Sequence, residues 1–274
     1  MDQTKEKRYK KIACFRNNTG VNNIWKVYDT KTDTYLVIKK TQHTLANKKK
    51  INGEYAILDK IKNIKNVSKF IDLIYSKNSI KLFLEYVQGI DLFEYIKSLD
   101  DNVHISQQII KKILFQVCTA LSYVHELGII HRDIKPENII FDRETEKITI
   151  IDWDLAIQFD PEKIYEPSGS LSYVSPEVAR MNTFSCELTP IIGPFNDIWG
   201  VGVLAYCLMT NCVPFDGSNM KEILENIHNF NVDYSMPGID KEGESLLKSI
   251  LCPYTNRLTA KDILDHPFLY ERSE

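Results

Sequence analysis

The 274-residue sequence lacks the features that mark secreted, membrane-spanning or zinc-binding proteins. Its six cysteines include no CxxC pair, so neither a disulfide framework nor a zinc site of ordinary ligand spacing is expected. The N-terminal segment is polar and has no apolar signal-peptide core. The longest apolar run, near 198–209, is shorter than the roughly 20 residues that span a bilayer and predicts a buried helix. We therefore expect a cytoplasmic or nuclear protein.

An excess of charge of either sign is also missing. The chain has 34 Lys and Arg against 37 Asp and Glu, a formal net charge of −3. Without a global basic field, no nucleic-acid partner and no membrane partner are expected. The lysine run at 48–50 is interpreted as the start of a solvated helix. A monomer is the default expectation.

The sequence pattern changes near residue 88. Before it, alternating or β-branched runs predict strands around a turn at 29–33, and apolar spacing predicts one helix over 49–62. After it, the pattern predicts a helix over 105–127, two short strands around a turn at 142–146, and mainly helices from residue 176. We expect an α+β protein with a small β-rich N-lobe, about 9–87, and a larger helical C-lobe, about 88–270.

The segment at 131–138, HRDIKPEN, carries the strongest chemical signal. It places a carboxylate, a cation and an amide in one loop between a helix and a strand. Phosphoryl transfer needs such groups to orient a hydroxyl, to balance developing charge and to bind Mg²⁺. A solvated surface loop is the competing interpretation, and a chance match over eight positions is disfavoured.

This segment resembles the catalytic loop H-R-D-x-K-P-x-N of Ser/Thr protein kinases, and the resemblance extends over about 9–270. The chain is similar to the catalytic domains of calcium/calmodulin-dependent and cyclic-nucleotide-dependent kinases. The resemblance implies a bilobal kinase fold and transfer of the γ-phosphoryl group of ATP to Ser or Thr hydroxyls of proteins. Asp133 would orient the hydroxyl and Lys135 would support the γ-phosphate. Lys135 also separates the chain from tyrosine kinases.

The same resemblance assigns the phosphate and metal ligands. The run LVIK at 36–39 resembles V-A-I-K, so Lys39 would bind the α- and β-phosphates and Glu54 would pair with Lys39. Asp152, in DWD where D-F-G is usual, would bind Mg²⁺ together with Asn138. The expected cofactors are ATP and Mg²⁺.

An adenine site is implied as well. The run LEYV at 84–87 resembles the hinge between lobes, so the backbone at Glu85 and Val87 would hydrogen-bond the base. The other positions expected to contact ATP are Gly20, Val27, Val37 and Ile140.

Two departures leave a second interpretation open. The glycine-rich pattern G-x-G-x-x-G-x-V reads GVNNIWKV at 20–27 and keeps only Gly20, and Asp154 replaces the glycine of D-F-G. Glycines let a loop fold closely over phosphates. The alternative is therefore a pseudokinase scaffold with weak or no phosphoryl transfer. A kinase-fold enzyme acting on small molecules is a third class, which the SPE run at 175–177 disfavours because it resembles an element that seats a peptide.

Further side chains have expected roles in the helical lobe. Glu177 would pair with Arg257, and Asp197 would brace the catalytic loop. Ser170 would contact Asp133 and Lys135.

Regulation and substrate preference are expected from three acidic positions. Glu166 would partly substitute for an activating phosphate beside Arg132, with Ser168 as a competing phosphorylation site and a plain surface glutamate as the alternative interpretation. Asp91 and Glu137 match acidic positions that, in some basophilic kinases, contact an arginine upstream of the phosphorylated residue. This resemblance implies a preference for basic-directed peptides.

Overall fold

A computed structural model describes residues 8–17, 23–100, 103–160, 162–163, 168–183 and 193–269. The chain forms two compact units. Unit 1 comprises residues 1–63 and 67–88, and unit 2 comprises residues 64–66 and 89–274.

Unit 1 is a five-stranded antiparallel sheet with one long helix. The strand order is β1-β2-β3-β5-β4. The bounds are β1 Tyr9–Asn17, β2 Asn23–Asp29, β3 Thr34–Gln42, helix α1 Leu45–Ile61, β4 Phe70–Tyr75 and β5 Ser79–Glu85.

Strand alternation gives the sheet of unit 1 two different faces. Leu36 and Ile38 are buried on one face in a cluster with Val27 and Phe83. Because successive side chains of a strand point to opposite sides, Val37 and Lys39 lie on the other face. The second face therefore carries Lys39, the charged side chain that is expected to bind phosphate.

Helix α1 begins at residue 45 because Thr44 caps it, accepting a hydrogen bond from the N–H of Asn47. This start lies four residues before the one that the apolar spacing predicts. Its buried residues recur at helical spacing and include one charged side chain, Glu54.

Unit 2 is mainly helical and has short strands near the catalytic loop. Its helices are α2 Leu92–Lys97, α3 Gln107–Glu126, α4 Pro176–Thr183, α5 Phe195–Thr210, α6 Met220–His228, α7 Lys241–Ile250 and α8 Ala260–Leu264. Its strands are β6 Ile90–Asp91, β7 Ile129–Ile130, β8 Ile139–Asp142, β9 Lys147–Ile150 and β10 Ile157–Gln158.

Helix α5 lies at the centre of unit 2. From Asn196 to Thr210 every residue is buried, which explains the apolar run in the sequence. Helix α3, whose buried residues include Val117 and Leu121, packs beside it. The chain leaves α3 at Gly128 with φ 67°. None of the helices within the described ranges is long and apolar enough to cross a membrane.

The fold class expected from the sequence is confirmed: a β-rich unit with one main helix precedes a larger helical unit. Cysteines 14, 118, 207, 212 and 252, which lie in the described ranges, are all free thiols.

Candidate active site

The catalytic-loop carboxylate, Asp133, is fixed by groups from two segments. Its Oδ2 atom lies 2.7 Å from Lys135 Nζ and accepts a 2.9 Å hydrogen bond from Asn138 Nδ2. Its Oδ1 atom accepts a 3.0 Å hydrogen bond from the N–H of Ser170. Lys135 also donates a 2.6 Å hydrogen bond to Ser170 Oγ. An oxygen with one such bond keeps a lone pair, so Oδ1 can also accept the proton of a substrate hydroxyl.

The loop that carries Asp133 is anchored on the buried carboxylate of Asp197, at the start of α5. Asp197 accepts hydrogen bonds from the N–H groups of His131 at 2.8 Å and Arg132 at 2.7 Å. His125 Nε2 adds a third bond at 2.9 Å. Burial alone would raise the pKa of Asp197, but the bond and charge of His125 and the N–H of His131 outweigh it, so the net pKa is lowered. Asp197 is therefore an ionised anchor.

The histidine of the loop connects it to the segment after β9. His131 Nε2 donates to the carbonyl of Ile151 at 3.0 Å, so its Nδ1 can accept the N–H of Asp133 at 3.3 Å. Trp153 packs edge-on against the imidazole, with ring centroids 4.6 Å apart, and is fully buried. The tryptophan in DWD therefore fills an apolar position.

Asn138 and Asp152 are brought together by the β8–β9 hairpin. Ile139 pairs with Ile150, and the pairing continues where the N–H of Ile151 donates to the carbonyl of Asn138 at 2.9 Å. Asp152 follows directly, in the left-handed backbone conformation with φ 62°. Ile151 is the pairing partner of Asn138, so Asp152 is the residue immediately after that partner.

These two residues fit a magnesium site by their donor chemistry. Asn138 Nδ2 donates to both the carbonyl oxygen and Oδ2 of Asp133, which directs its amide oxygen away from those acceptors. A hard amide oxygen and a carboxylate are ligands that Mg²⁺ prefers, and Mg²⁺ commonly takes one or two protein ligands plus water and phosphate oxygens. Within the described ranges, no group of three or more His, Cys, Asp or Glu side chains could hold a metal ion.

Asp154 does not occupy a backbone conformation that requires glycine. In the short 3₁₀ turn Trp153–Leu155, positive φ occurs at Asp152 and not at Asp154. Replacing the usual glycine by aspartate therefore imposes no backbone strain in this conformation.

The segment before α4 approaches the catalytic loop closely. Arg132 donates a hydrogen bond to Ser168 Oγ. Gly169 has φ 116°, and a Cβ atom there would lie 2.9 Å from the carbonyl oxygen of Arg132. A side chain at 169 would force this segment away from Asp133. Glu166, expected beside Arg132, lies outside the described residues.

Arg257 and Glu177 form a buried ion pair in unit 2. Arg257 Nη2 lies 3.1 Å from Glu177 Oε1, and the arginine side chain is fully buried. The same guanidinium donates to the carbonyls of Phe195 and Cys252, at 2.8 and 2.7 Å. Burial lowers the pKa of Arg257, opposed by the Glu177 charge. The pair joins the start of α4 to the start of α5 and to the chain after α7.

In unit 1, Lys39 and Glu54 form an ion pair. Lys39 Nζ lies 2.5 Å from Glu54 Oε1, and their side chains are 14% and 1% exposed. Strand β3 supplies the lysine and helix α1 the glutamate. Since the glutamate is almost fully buried, the pair fixes the position of the ammonium group.

Two residues of unit 1 that were expected to contact adenine, Val27 and Val37, lie on neighbouring strands. Val27 pairs with Leu36, whereas Val37 pairs with Lys26, so Val27 and Val37 lie on opposite faces of the sheet. The fully buried Val27 packs in the apolar cluster, and its position does not support the shared contact with adenine that the sequence suggested.

Four other residues were expected to contact ATP: Glu85, Val87, Ile140 and Gly20. The N–H of Glu85 donates to the carbonyl of Lys69 at 3.0 Å, so a base could use only the Glu85 carbonyl. Val87 and Ile140 are half-buried, and Gly20 lies outside the described residues.

Sequence reasoning missed His125 as a support of the site. A histidine in the last turn of α3, six residues before the loop, is the signal that could have found it. The signal is weak, because a lone histidine at a helix end is common as a favourable partner of the helix dipole.

Comparison with known proteins agrees with this geometry. The sequence model of the protein kinase domain matches residues 20–269. Human myosin light chain kinase family member 4 is 31% identical over 233 residues, covering 82% of this chain and 57% of that relative. Calcium-dependent protein kinase 24 of Arabidopsis thaliana is 32% identical over 212 residues, covering 74% of this chain and 34% of that relative.

A probable serine/threonine-protein kinase of Saccharomyces cerevisiae, HSL1, is 30% identical over 237 residues, covering 84% of this chain and 14% of that relative. The chain thus spans 57% or less of the length of these three relatives.

Proposed function

Because this chain belongs to the protein kinase domain family, we propose that it is a Ser/Thr protein kinase that transfers the γ-phosphoryl group of ATP to protein hydroxyls. The observation that carries the proposal is the hydrogen-bonded set around Asp133, in which Lys135, Asn138 and Ser170 all contact one carboxylate. Asp133 and Asn138 match the hydroxyl-orienting aspartate and the Mg²⁺-binding asparagine of kinase catalysis, which supports a catalytic role for the set.

Each polar group of the catalytic loop has a chemical role in the proposal. Asp133 orients the attacking hydroxyl and accepts its proton through Oδ1. Lys135 stands beside it with its Nζ shared between Asp133 and Ser170, where it can stabilise negative charge that develops on the transferred group. Holding these groups before substrate binds reduces the entropy lost in reaching the reactive geometry.

In this proposal the nucleotide is bound through its phosphates, through its metal ion and through its adenine base. Lys39, fixed by Glu54, binds the α- and β-phosphates. Asn138 and Asp152 would hold Mg²⁺, which neutralises phosphate charge when bound. Val37, Ile140 and the backbone at Glu85 and Val87 remain the proposed adenine contacts.

The proposed substrate is a peptide segment with a basic preference. Glu137 is exposed beside the catalytic loop and can meet a basic side chain. Asp91 is half-buried and caps α2 by accepting the N–H of Glu94 at 2.8 Å, which leaves its negative charge in place. The proposed working form is a monomer.

The second candidate is a pseudokinase scaffold, favoured by the loss of two glycines from the loop at 20–27. The other reason for a pseudokinase was Asp154 in place of glycine, and the unstrained backbone at Asp154 removes that reason. The scaffold predicts nucleotide binding without transfer, whereas the kinase predicts both.

One experiment separates the two. Wild type, Asp133→Ala and Asp265→Ala are incubated with Mg²⁺, radiolabelled ATP and a generic basic protein substrate, and ATP binding is measured separately by thermal shift. Asp265 is exposed in unit 2 and controls for loss of a carboxylate. We expect transfer by wild type and Asp265→Ala, and a loss of at least about 100-fold in Asp133→Ala. Equal labelling by wild type and Asp133→Ala, or ATP binding without any transfer, would reject the kinase.

A further inference from the structure

Charge is divided unequally between the two units. Unit 1 contains 18 Lys and Arg against eight Asp and Glu, a net charge of +10, and unit 2 contains 16 against 29, a net charge of −13. The net charge of −3 for the whole chain conceals this division. Salt screens exposed charges beyond about 8 Å, so a partner at the surface of unit 1 meets its local basic charge.

The basic charge of unit 1 includes five lysines at one end of its sheet. Lys40 and Lys81 lie directly opposite each other on β3 and β5, and Lys77 lies in the turn just before β5. Helix α1 starts three residues after β3 and adds Lys48 and Lys49 in its first two turns. Four of the five are exposed and Lys81 is half-buried. By strand alternation Lys40 and Lys81 lie on the face that carries Ile38, whereas α1 packs on the other face, where its Glu54 contacts Lys39. The five lysines therefore border this end of the sheet from both faces and are termed the lysine surface.

The lysine surface makes no ion pair with the acidic side chains in the described part of unit 1. All six acidic side chains there contact other groups: Asp29 with Arg8, Asp33 with Tyr28, Glu54 with Lys39, Asp59 with Lys62, Asp72 with the N–H of Leu73 and Glu85 with the N–H of Lys69. Within the described ranges, no member of the lysine surface forms an ion pair. Lys48 contacts the ring of Tyr75, with its Nζ 5.6 Å from the ring centroid.

Two contacts of this surface are unfavourable in the isolated protein. Like charges directly opposite each other on neighbouring strands, as at Lys40 and Lys81, repel. The first turn of α1 has no acidic residue, and Lys48 and Lys49 follow it near the end of a helix where negative charge is favoured. An anionic partner would relieve both contacts, and this favours a binding role for the surface.

A protruding leucine indicates which anionic partner fits. Leu45, the first residue of α1, is 88% exposed, and Lys48 and Lys49 follow it at i+3 and i+4 on the same side of the helix. An apolar side chain beside ammonium groups suits the boundary between headgroups and acyl chains. Single-stranded nucleic acid is instead met by successive open aromatic rings. Tyr75, which is 43% exposed at this end, has Lys48 at its ring and a hydrogen bond to Asn52 at its hydroxyl.

We propose that the lysine surface and Leu45 bind the anionic face of a lipid bilayer, with the lysines at the headgroups and Leu45 at the acyl boundary. The inference revises, for unit 1, the expectation of no membrane partner that the averaged net charge gave. It goes beyond the proposed kinase activity and does not depend on it.

The test is co-sedimentation of the full chain with vesicles of phosphatidylcholine alone or mixed with phosphatidylserine, at low and high salt. We expect salt-sensitive binding to the mixed vesicles only. Each lysine near the surface contributes roughly fivefold to partitioning, so Lys48→Glu with Lys49→Glu should weaken binding at least about 25-fold. Leu45→Ala removes three carbon atoms and should weaken it by up to about 50-fold.

The matched control, Lys10→Glu with Lys31→Glu, makes the same charge change elsewhere on unit 1. Lys10 pairs with Tyr28 near the end of β2, and Lys31 lies in the turn before β3, so both are at the other end of the β2–β3 hairpin from Lys40. The control should stay within about threefold of wild type, since screening confines the effect to nearby charges. Melting temperatures verify that each variant is folded.

Three results would overturn the inference: equal binding to both kinds of vesicle, equal weakening by the control pair, or lysine-dependent binding of single-stranded RNA or an acidic protein without vesicle binding. Asp133→Ala should bind vesicles like wild type. Failure of the membrane inference can therefore be told apart from failure of the kinase proposal.

Discussion

Replacing Asp197 by Asn tests whether one buried carboxylate holds the catalytic loop. Asp197 accepts three hydrogen bonds, from the N–H groups of His131 and Arg132 and from His125 Nε2. In Asp197→Asn one oxygen becomes an NH₂ group that faces an N–H donor. In the better orientation one bond is lost and the other two lose their ionic character.

The size of the effect follows from these bonds. A hydrogen bond to a charged group contributes about 1.5–3 kcal/mol, and losing the charge roughly halves it. Relief of the cost of burying a carboxylate offsets part of this loss. We expect a net destabilisation of about 2–4 kcal/mol, which for a protein of this size lowers Tm by about 5–10 °C. Differential scanning calorimetry at pH 7 measures it.

Activity and pH dependence sharpen this prediction. We expect kcat to fall more than tenfold, because Asp133 lies in the loop that Asp197 anchors. KM for ATP should change less, because the Lys39–Glu54 ion pair is built from β3 and α1 and not from the catalytic loop. The folded-state pKa of Asp197 is lowered. Its stabilisation is therefore complete above the unfolded value near 3.9 and is lost as pH falls through the folded value. The stability difference between wild type and variant should close only on such acidification.

The control is Asp265→Asn, an exposed aspartate of the same unit. It should leave both Tm and kcat unchanged. If Asp197→Asn behaved like this control at pH 7, the three bonds would not be what positions the loop, and the reasoning would fail.

Three further predictions concern other contacts. Glu54→Gln should raise KM for ATP about tenfold, because the lost charge frees Lys39 from its position; steady-state kinetics showing the wild-type KM would contradict this. Arg257→Ala removes the ion-pair partner of Glu177 and the donor to the carbonyls of Phe195, Ile250 and Cys252, and should cost about 3–5 kcal/mol in denaturant unfolding; a loss below about 1 kcal/mol would mean that the ion pair is dispensable. Gly169→Ala puts a Cβ against a backbone carbonyl at φ 116° and should lower kcat several-fold in peptide assays, a prediction that an unchanged kcat would refute.

The fold class and the order of functional segments could be predicted because they depend on local patterns. The helix expected over 105–127 is found at Gln107–Glu126, since its apolar spacing and the Ser106 cap are both local. The residues of HRDIKPEN meet around Asp133 because they lie within eight positions of each other. Lys39 and Glu54 are separated by one turn between a strand and a helix, and their contact was also expected.

Expectations that depended on strand register could not be made from the sequence. Val27 was expected to contact adenine together with Val37, but the β2–β3 hairpin pairs it with Leu36, and a shift of one residue moves a side chain to the opposite face. The division of charge into +10 and −13 could be counted once a boundary near residue 88 was predicted, and the net charge of −3 concealed it. The placement of Lys40 opposite Lys81 needed the sheet register.

The sequence by itself determined which residue types are available for phosphoryl transfer and in what order they occur. The tertiary structure decided how they are held. Asp197 binds the loop from a helix 66 positions after His131 and is itself held by His125, and Asp152 takes its left-handed conformation where the β8–β9 hairpin ends. Such contacts depend on chain segments that meet only after folding. Hydrogen-bond partners, sheet faces and local charge are properties of that packing, which no local pattern of residues specifies.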